Sequence, residues 1–455
     1  MIEAQELVER ALRVSTADET IVLVTEVSEA ALRWAGNSMT TTGVSRSRTW
    51  TVLAIRREPA TRVGIVTSSS VDPDDIDAVV AAARTAADEA APATDAMPLL
   101  HGTGATGDWT DGFTGTGIAV FDEVVDALAD GFDGTDRLYG FAHHQVRTTW
   151  LGTSTGVRRR YTQPEGSIEV HGKRGGLNGP GAWAGAGTRD FRDVDTTALL
   201  VELDRRLDWA GRAVDLPAGR YETLLPSSAV ADLMIYLMWS MEGRGAEEGH
   251  TALSRPGGTR IGEILTPLSL TLFSDPFAPG LEYAPFVTAT ASTDAVSVFD
   301  NGLDTGRVDW IRDGTVHALA YPRAAAAEFG ASVTAPGENL LLTGGSSASI
   351  DDLVACTERG LLLTTLWYLR EVDPATLLLT GLTRDGVYLV EDGEVVAAVN
   401  NFRFNESPLD LLRRATEVGA TERTLPREWK DWFTRTAMPP MRIPDFHMSS
   451  VSAAR

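Results

Sequence analysis

The sequence predicts an α+β fold in two units. Residues 1–216 read as an N-terminal α/β domain, an antiparallel or mixed sheet with packed helices, and residues 217–455 as a C-terminal β-rich domain, sandwich or barrel-like, with one apolar helix. Three observations carry this reading. β-branched and aromatic runs bounded by polar turns recur through both halves. Amphipathic helical stretches are interleaved with them in the first half, and one apolar helical stretch, "SSAVADLMIYLMWSM" (227–241), opens the second. A length of 455 residues exceeds what a single core ordinarily serves. The Pro and Gly turn of "LPAGRYETLLPS", before a fresh strand near Tyr221, sets the boundary near Pro217.

Taken in order, "MIEAQELVERALRVS" is an amphipathic helix without the apolar core of a signal peptide. "TIVLVTE" (20–26), "ALRWAGN" (31–37), "RTWTVLAIRR" (48–57) and "RVGIVTSS" (62–69) read as a meander of strands. "DPDDIDAVVAAARTAADEAAP" is a helix: Asp72 caps it, Pro73 suits the first turn, Asp74 and Asp75 suit the positive end of the dipole, and Pro92 ends it. Residues 93–117, rich in Gly, Thr and Asp without periodicity, predict a long surface connection. "IAVFDEVVDALADGF" is helical, "GFAHHQVRTTWLG", "VRRRYTQ" and "GSIEVHG" are strands, and the glycine-rich "RGGLNGPGAWAGAGTRDF" leads to the helix "DTTALLVELDRRLDWAGRAVDL". The second half is mostly short strands, with a hairpin at Asp392 and Gly393.

The net charge of −23, from 40 basic and 63 acidic residues, argues against nucleic acid and anionic membranes as partners. The local basic cluster Arg158, Arg159, Arg160, Lys173 and Arg174 reads as a solvated hairpin whose three consecutive arginines split between two sheet faces. No apolar run approaches the roughly 20 residues that span a bilayer. The single cysteine, Cys356, excludes a disulfide framework and a cysteine-rich zinc site, and fits a reducing, cytoplasmic location. It reads as a small buried core residue rather than a nucleophile.

The stretch "SMEGRGAEEGH" (240–250) crowds carboxylates after the apolar helix, but no HExxH zinc-protease motif occurs in the chain. His101, His143, His144, His171, His250, His317 and His447 include no pair with ligand spacing on a helix, and the adjacent His143 and His144 point to opposite faces of a strand. His250 with Glu247 and Glu248 reads first as a solvated polar loop and second as an imidazole and carboxylate cluster. No nucleophile elbow, phosphate-binding loop or dinucleotide fingerprint is present, and "TGGSSAS" (343–349) reads as a turn capping a helix that starts near Asp351.

Several segments resemble the TldD/TldE (PmbA) family of zinc-dependent peptidase subunits. They are "FDNGLDTGRVDWIRDGTVHALAYPRAAAAEFG" (299–330), "ENLLLTGGSSASIDDLVACTERGLLLTTLWYLREVDPATLLLTGLTRDGVYLVEDGEVVAAV" (338–399), the GRY element Gly219, Arg220 and Tyr221, and "MPPMRIPDFHMS". The LWxxR segment is intact from Leu366 to Arg370, whereas "ATLLLTGLTRDG" departs from the family's glycine-rich strand ends. The resemblance implies an HExxxH zinc motif directly after the apolar helix. Here that register reads Met241, Glu242, Gly243, Arg244, Gly245, Ala246: the glutamate and the glycine that loosens the last helical turn remain, and both histidines are gone. Neither a thioether nor a methyl group binds zinc as imidazole does. The cysteine ligand that the resemblance implies near the C-terminus is also missing from "LPREWKDWFTRTAMPPMRI".

The expectation is therefore a TldE-like chain with no catalytic residues, no metal and no cofactor of its own. It would complete a peptide-binding heterodimer whose zinc comes from a TldD-like catalytic partner, unfolded peptide being held by adding to a sheet edge. A homodimer forms the alternative assembly in isolation. The competing readings are a stand-alone peptide-binding or regulatory protein, and a hydrolase with an unrecognised site such as His250 with Glu247.

Overall fold

The computed structural model describes residues 2–452 apart from positions 103, 177 and 385. One residue each of the long connection (Thr103), the glycine-rich stretch (Leu177) and the altered strand end (Asp385) thus lies outside the described residues.

The N-terminal half is built on one strongly elongated sheet. Helix α1 (Ala4–Val14) precedes β1 (Glu19–Ala35), β2 (Met39–Arg56), β3 (Arg62–Ser68), α2 (Ile76–Glu89), β4 (Gly104–Ala105), α3 (Asp122–Phe132), β5 (Arg137–Thr153), β6 (Val157–Lys173), β7 (Gly181–Thr188) and α4 (Thr196–Trp209). The strand order is β3-β2-β1-β5-β6, with β7 and β4 both on the free side of β6. All pairs are antiparallel except β4 with β6, so the sheet is mixed.

The predicted short strands are too short. "TIVLVTE" and "ALRWAGN" are one strand of 17 residues, and "VRRRYTQ" and "GSIEVHG" are another. The polar residues taken as turns, such as Ser28 and Glu29 or Gln163 and Glu165, continue the two-residue alternation, one face against helices and the other against the second half. Pro164 is tolerated inside β6 because β7 pairs only from Gly166 onward and β4 only with Val157 and Arg158. Residues 159–165 of β6 consequently have β5 on one side and no strand on the other, among the described residues.

On one face of this sheet α1 and α2 bury Val22, Val24, Trp50, Val52 and Trp150, and α3 and α4 cover Ala142, Ile168 and Val170. Asp72 caps as expected, its carboxylate accepting from the Asp74 N–H. The three arginines split between faces, but they are not solvated. Arg158 pairs with Glu9 of α1 at 2.6 Å and Arg160 donates to the Gly112 carbonyl, both on the helix face, while Arg159 meets Asp304 on the other. Arg174 is likewise held by Asp136, Asp204 and Asp208. His143 and His144 diverge as predicted; burial lowers the His144 pKa, and its ring bonds Thr116 and the Arg189 carbonyl.

The opposite face of the sheet packs on the second half, where Ile21, Leu23, Leu53, Ile55 and Leu151 meet Phe286, Val298 and Phe299. That half begins with β8 (Ala213–Val214), β9 (Gly219–Leu225), α5 (Ser227–Trp239) and α6 (Gly243–Glu247). It contains a six-stranded and a ten-stranded sheet, neither closed on itself, so the barrel alternative does not describe it. Helix α5, apolar on nearly every face apart from Asp232, lies between them: Leu233, Met234, Leu237 and their neighbours share one core with Leu272, Leu342 and Met438 of the smaller sheet and Leu363, Phe402 and Phe446 of the larger. The hairpin at Asp392 and Gly393 forms with positive φ at both residues.

Ser349 caps the helix Ile350–Ala355 in a reciprocal box with Asp352. Cys356 departs from its prediction: it is exposed, because it caps the end of that helix, whose burial is carried by Leu353 and Val354.

Candidate functional site

The register Met241 to Ala246 does not lie on one helix. Helix α5 stops at Trp239, and the chain extends through Glu242 before α6 begins. Met241 accepts from the Ala320 N–H at 2.9 Å and Gly243 donates to the Ala320 carbonyl at 2.9 Å, so the segment pairs as a short strand. Gly243 is required there: a Cβ would stand 2.3 Å from the Tyr321 ring. The expectation of a glycine-loosened last turn is thus replaced by a clean break between two helices. Positions 241 and 246 flank the N-terminus of α6 instead of sharing a helix face.

Both positions at which the resemblance would place ligands are sealed, with Met241 1% and Ala246 0% exposed. The donor set does not fit zinc: a buried thioether and a buried methyl stand where imidazoles would be needed. Among the described residues, no cluster of three or more His, Cys, Asp and Glu side chains has metal-binding geometry. Glu242 is half-buried, and burial, then the nearby Asp294, raises its carboxyl pKa above the usual range.

A raised carboxyl binds its proton more tightly in the folded state, so Glu242 lowers stability as pH rises from its ordinary pKa to its raised one. Glu242→Gln is expected to flatten that slope, seen by urea denaturation at intervals between about pH 4 and pH 7. An unchanged slope would contradict the assignment.

The carboxylates after Glu242 are structural, and the stretch is not a solvated loop. Glu247 accepts from the Tyr321 hydroxyl at 3.0 Å, and Arg244 pairs with Glu248 at 3.1 Å and with Glu328. His250 is exposed, 3.6 Å from Glu248 and joined to Glu247 by no bond.

The feature that the sequence did not disclose is a cleft of about 840 Å³ between the two halves. Its floor is the face of β1, β2, β5 and β6 opposite the helices, carrying Thr25, Thr49, Thr51, Thr149, Tyr161 and Gln163. Its wall is the end of α5, Met238 and Trp239, together with Phe286, Trp432 and Phe433. Trp432 is 80% exposed. The cleft therefore reaches the end of α5, two residues before Met241.

The loop bearing Trp432 is anchored by Asp232, fully buried within α5. Its Oδ1 accepts from the backbone of Glu428 at 3.0 Å and Trp429 at 3.4 Å, and its carbonyl accepts from the Trp429 indole at 2.9 Å. Burial raises the Asp232 pKa well above the carboxylate range, against those backbone donors. The signal that would have revealed the floor is the alternation in "SRSRTWT", where Ser47, Thr49 and Thr51 form a polar row on the face opposite Arg48 and Trp50.

Comparison with solved structures finds the same fold in TldE from Thermococcus kodakarensis, with TM-score 0.77, 17% identity, and coverage of 97% of this chain and 98% of that one. It is also found in a candidate modulator of DNA gyrase from Thermotoga maritima, with TM-score 0.77, 14% identity, and coverage of 97% and 99%. A second candidate modulator of DNA gyrase, from Bacteroides thetaiotaomicron, matches at TM-score 0.77, 13% identity, and coverage of 99% and 100%. A search of curated proteins found no match. The sequence model of the PmbA/TldA metallopeptidase C-terminal domain matches residues 218–450, just over half of the chain, which therefore belongs to the PmbA/TldD family.

Proposed function

We propose that the chain is a TldE-like, non-catalytic subunit of a cytoplasmic TldD/TldE-type metallopeptidase complex, binding unfolded peptide while a TldD-like partner supplies zinc and the water-activating base. The observation that carries this is the sealed pair Met241 and Ala246 at the family's ligand register. The cleft supports the peptide-binding part. It is floored by hydroxyls and walled by aromatic rings, and it adjoins residues 159–165 of β6, whose outer backbone edge suits an added strand. Main-chain pairing of that kind gives affinity with little side-chain selectivity.

Metal analysis and cleavage of an unfolded peptide test it, with this chain alone and mixed with a TldD-like protein. The isolated chain is expected to hold no stoichiometric zinc and to cleave nothing, and the mixture to form a complex that cleaves. One equivalent of zinc, or cleavage by the isolated chain, would overturn the proposal. Peptide binding without complex formation would favour the stand-alone peptide-binding protein instead.

A further inference from the structure

We infer that the cleft selects a carboxylate through Arg147, an inference that rests on the peptide-binding reading above and names the side-chain chemistry it recognises. The charges lining the cleft are nearly all spoken for. Arg435 pairs with Glu165 and, at 3.1 Å, with Glu338, and Asp431 lies 3.3 Å from Lys430. Among the described residues of the lining, Arg147 is the charged side chain with no hydrogen bond or ion pair, and it is exposed to the cleft.

Its place on the floor is central. Arg147 stands opposite Val27 on β1 and Gln163 on β6, at the third of four rows crossing the face. The rows on either side present Thr25, Thr149 and Tyr161, and then Glu29, Gln145 and Glu165. Gln145 and Glu165 bond each other, which leaves Glu165 engaged by an amide as well as by Arg435.

A strand added to the β6 edge would run roughly 10 Å from β5, two strand spacings away. An arginine side chain and an inward-pointing Asp or Glu together span that distance. The guanidinium offers a planar fork matched to a carboxylate. A lysine at the same register would meet uncompensated like charge. The selected group is thus a carboxylate, either an acidic side chain or the peptide's own C-terminus.

The test measures binding of short fluorescent peptides to the full chain at low salt. One set is capped at both ends and carries Asp, Asn or Lys at its centre, and another is uncharged internally with a free or amidated C-terminus. The Asp peptide or the free-acid peptide is expected to bind about fivefold tighter than its neutral counterpart. Which of the two does so distinguishes side chain from terminus. Arg147→Gln should abolish that preference, Arg147→Lys should restore part of it, and Arg147→Glu should turn it toward the Lys peptide. Equal binding of all peptides, or an acidic preference that survives Arg147→Gln, would overturn the inference and leave peptide binding standing. No binding of any peptide would overturn both.

Discussion

Restoring the two histidines, Met241→His with Ala246→His, is expected to destabilise the chain by about 3 kcal/mol or more and to leave it without stoichiometric zinc. Ala246 belongs, with Met241, to the core that surrounds α5. An imidazole in place of its methyl must displace close-packed neighbours, and its ring nitrogens would be buried without partners, each effect alone costing about 1 to 3 kcal/mol.

The break between α5 and α6 adds a geometric obstacle, since positions 241 and 246 lie on a strand-like segment and a helix respectively. The single cysteine is not placed to act as a third donor. Cys356 caps a helix packed on the face of the ten-stranded sheet opposite α5, with Leu224, Leu362 and Tyr388. Urea denaturation and metal analysis after zinc loading read both halves of the prediction. Near-unchanged stability with one equivalent of bound zinc would show that the site is only two substitutions from a working metal centre, and the non-catalytic reading would lose its basis.

The two-part α+β architecture was legible because its signals are local. Capping residues such as Asp72 and Ser349, turn residues such as Asp392 and Gly393, and the largely apolar α5 each follow from chemistry within a few positions. The zinc register rests on resemblance alone; nothing in the local pattern marks Met241 and Ala246 as ligand positions. What stayed hidden depends on partners distant in the chain. The 17-residue strands look broken in sequence because the polar residues between the predicted runs find partners far along the chain, Ser28 with Thr116 and Glu165 with Gln145 and Arg435. Glu247 looked like an unpaired acid until Tyr321, 74 residues later, was seen to donate to it. The predicted burial of Cys356 failed for a smaller reason: the helix ends one residue before it.

Glu26→Ala is expected to cost about 3 to 5 kcal/mol, because it strands a buried arginine. Glu26 is 2% exposed and Arg48, across the β1–β2 ladder, 8%. The carboxylate accepts from Arg48 Nε at 2.8 Å and from Arg46 Nη2 at 2.6 Å, and Arg48 reaches on to the Ile2 carbonyl at 2.7 Å. Removing the acid leaves the Arg48 guanidinium charged, partly unbonded and out of water under α1. Because the penalty comes from the surviving charge, replacing both partners by apolar residues, Glu26→Leu with Arg48→Met, should recover most of the loss.

The consequence for binding follows from strand alternation. Thr25 and Val27, either side of Glu26, project from the opposite face into the cleft, as Ser47 and Thr49 do either side of Arg48. A shift of β1 against β2 to hydrate Arg48 would disturb the row on which Arg147 sits. Glu26→Ala is therefore expected to weaken peptide binding even below its unfolding midpoint, and the double variant to regain it. Chemical denaturation of the single and double variants, with peptide titrations on each, separates the outcomes. A single-variant cost below about 1 kcal/mol would mean that Arg48 finds water without moving the sheet, and the proposed link between this ion pair and the cleft floor would fall.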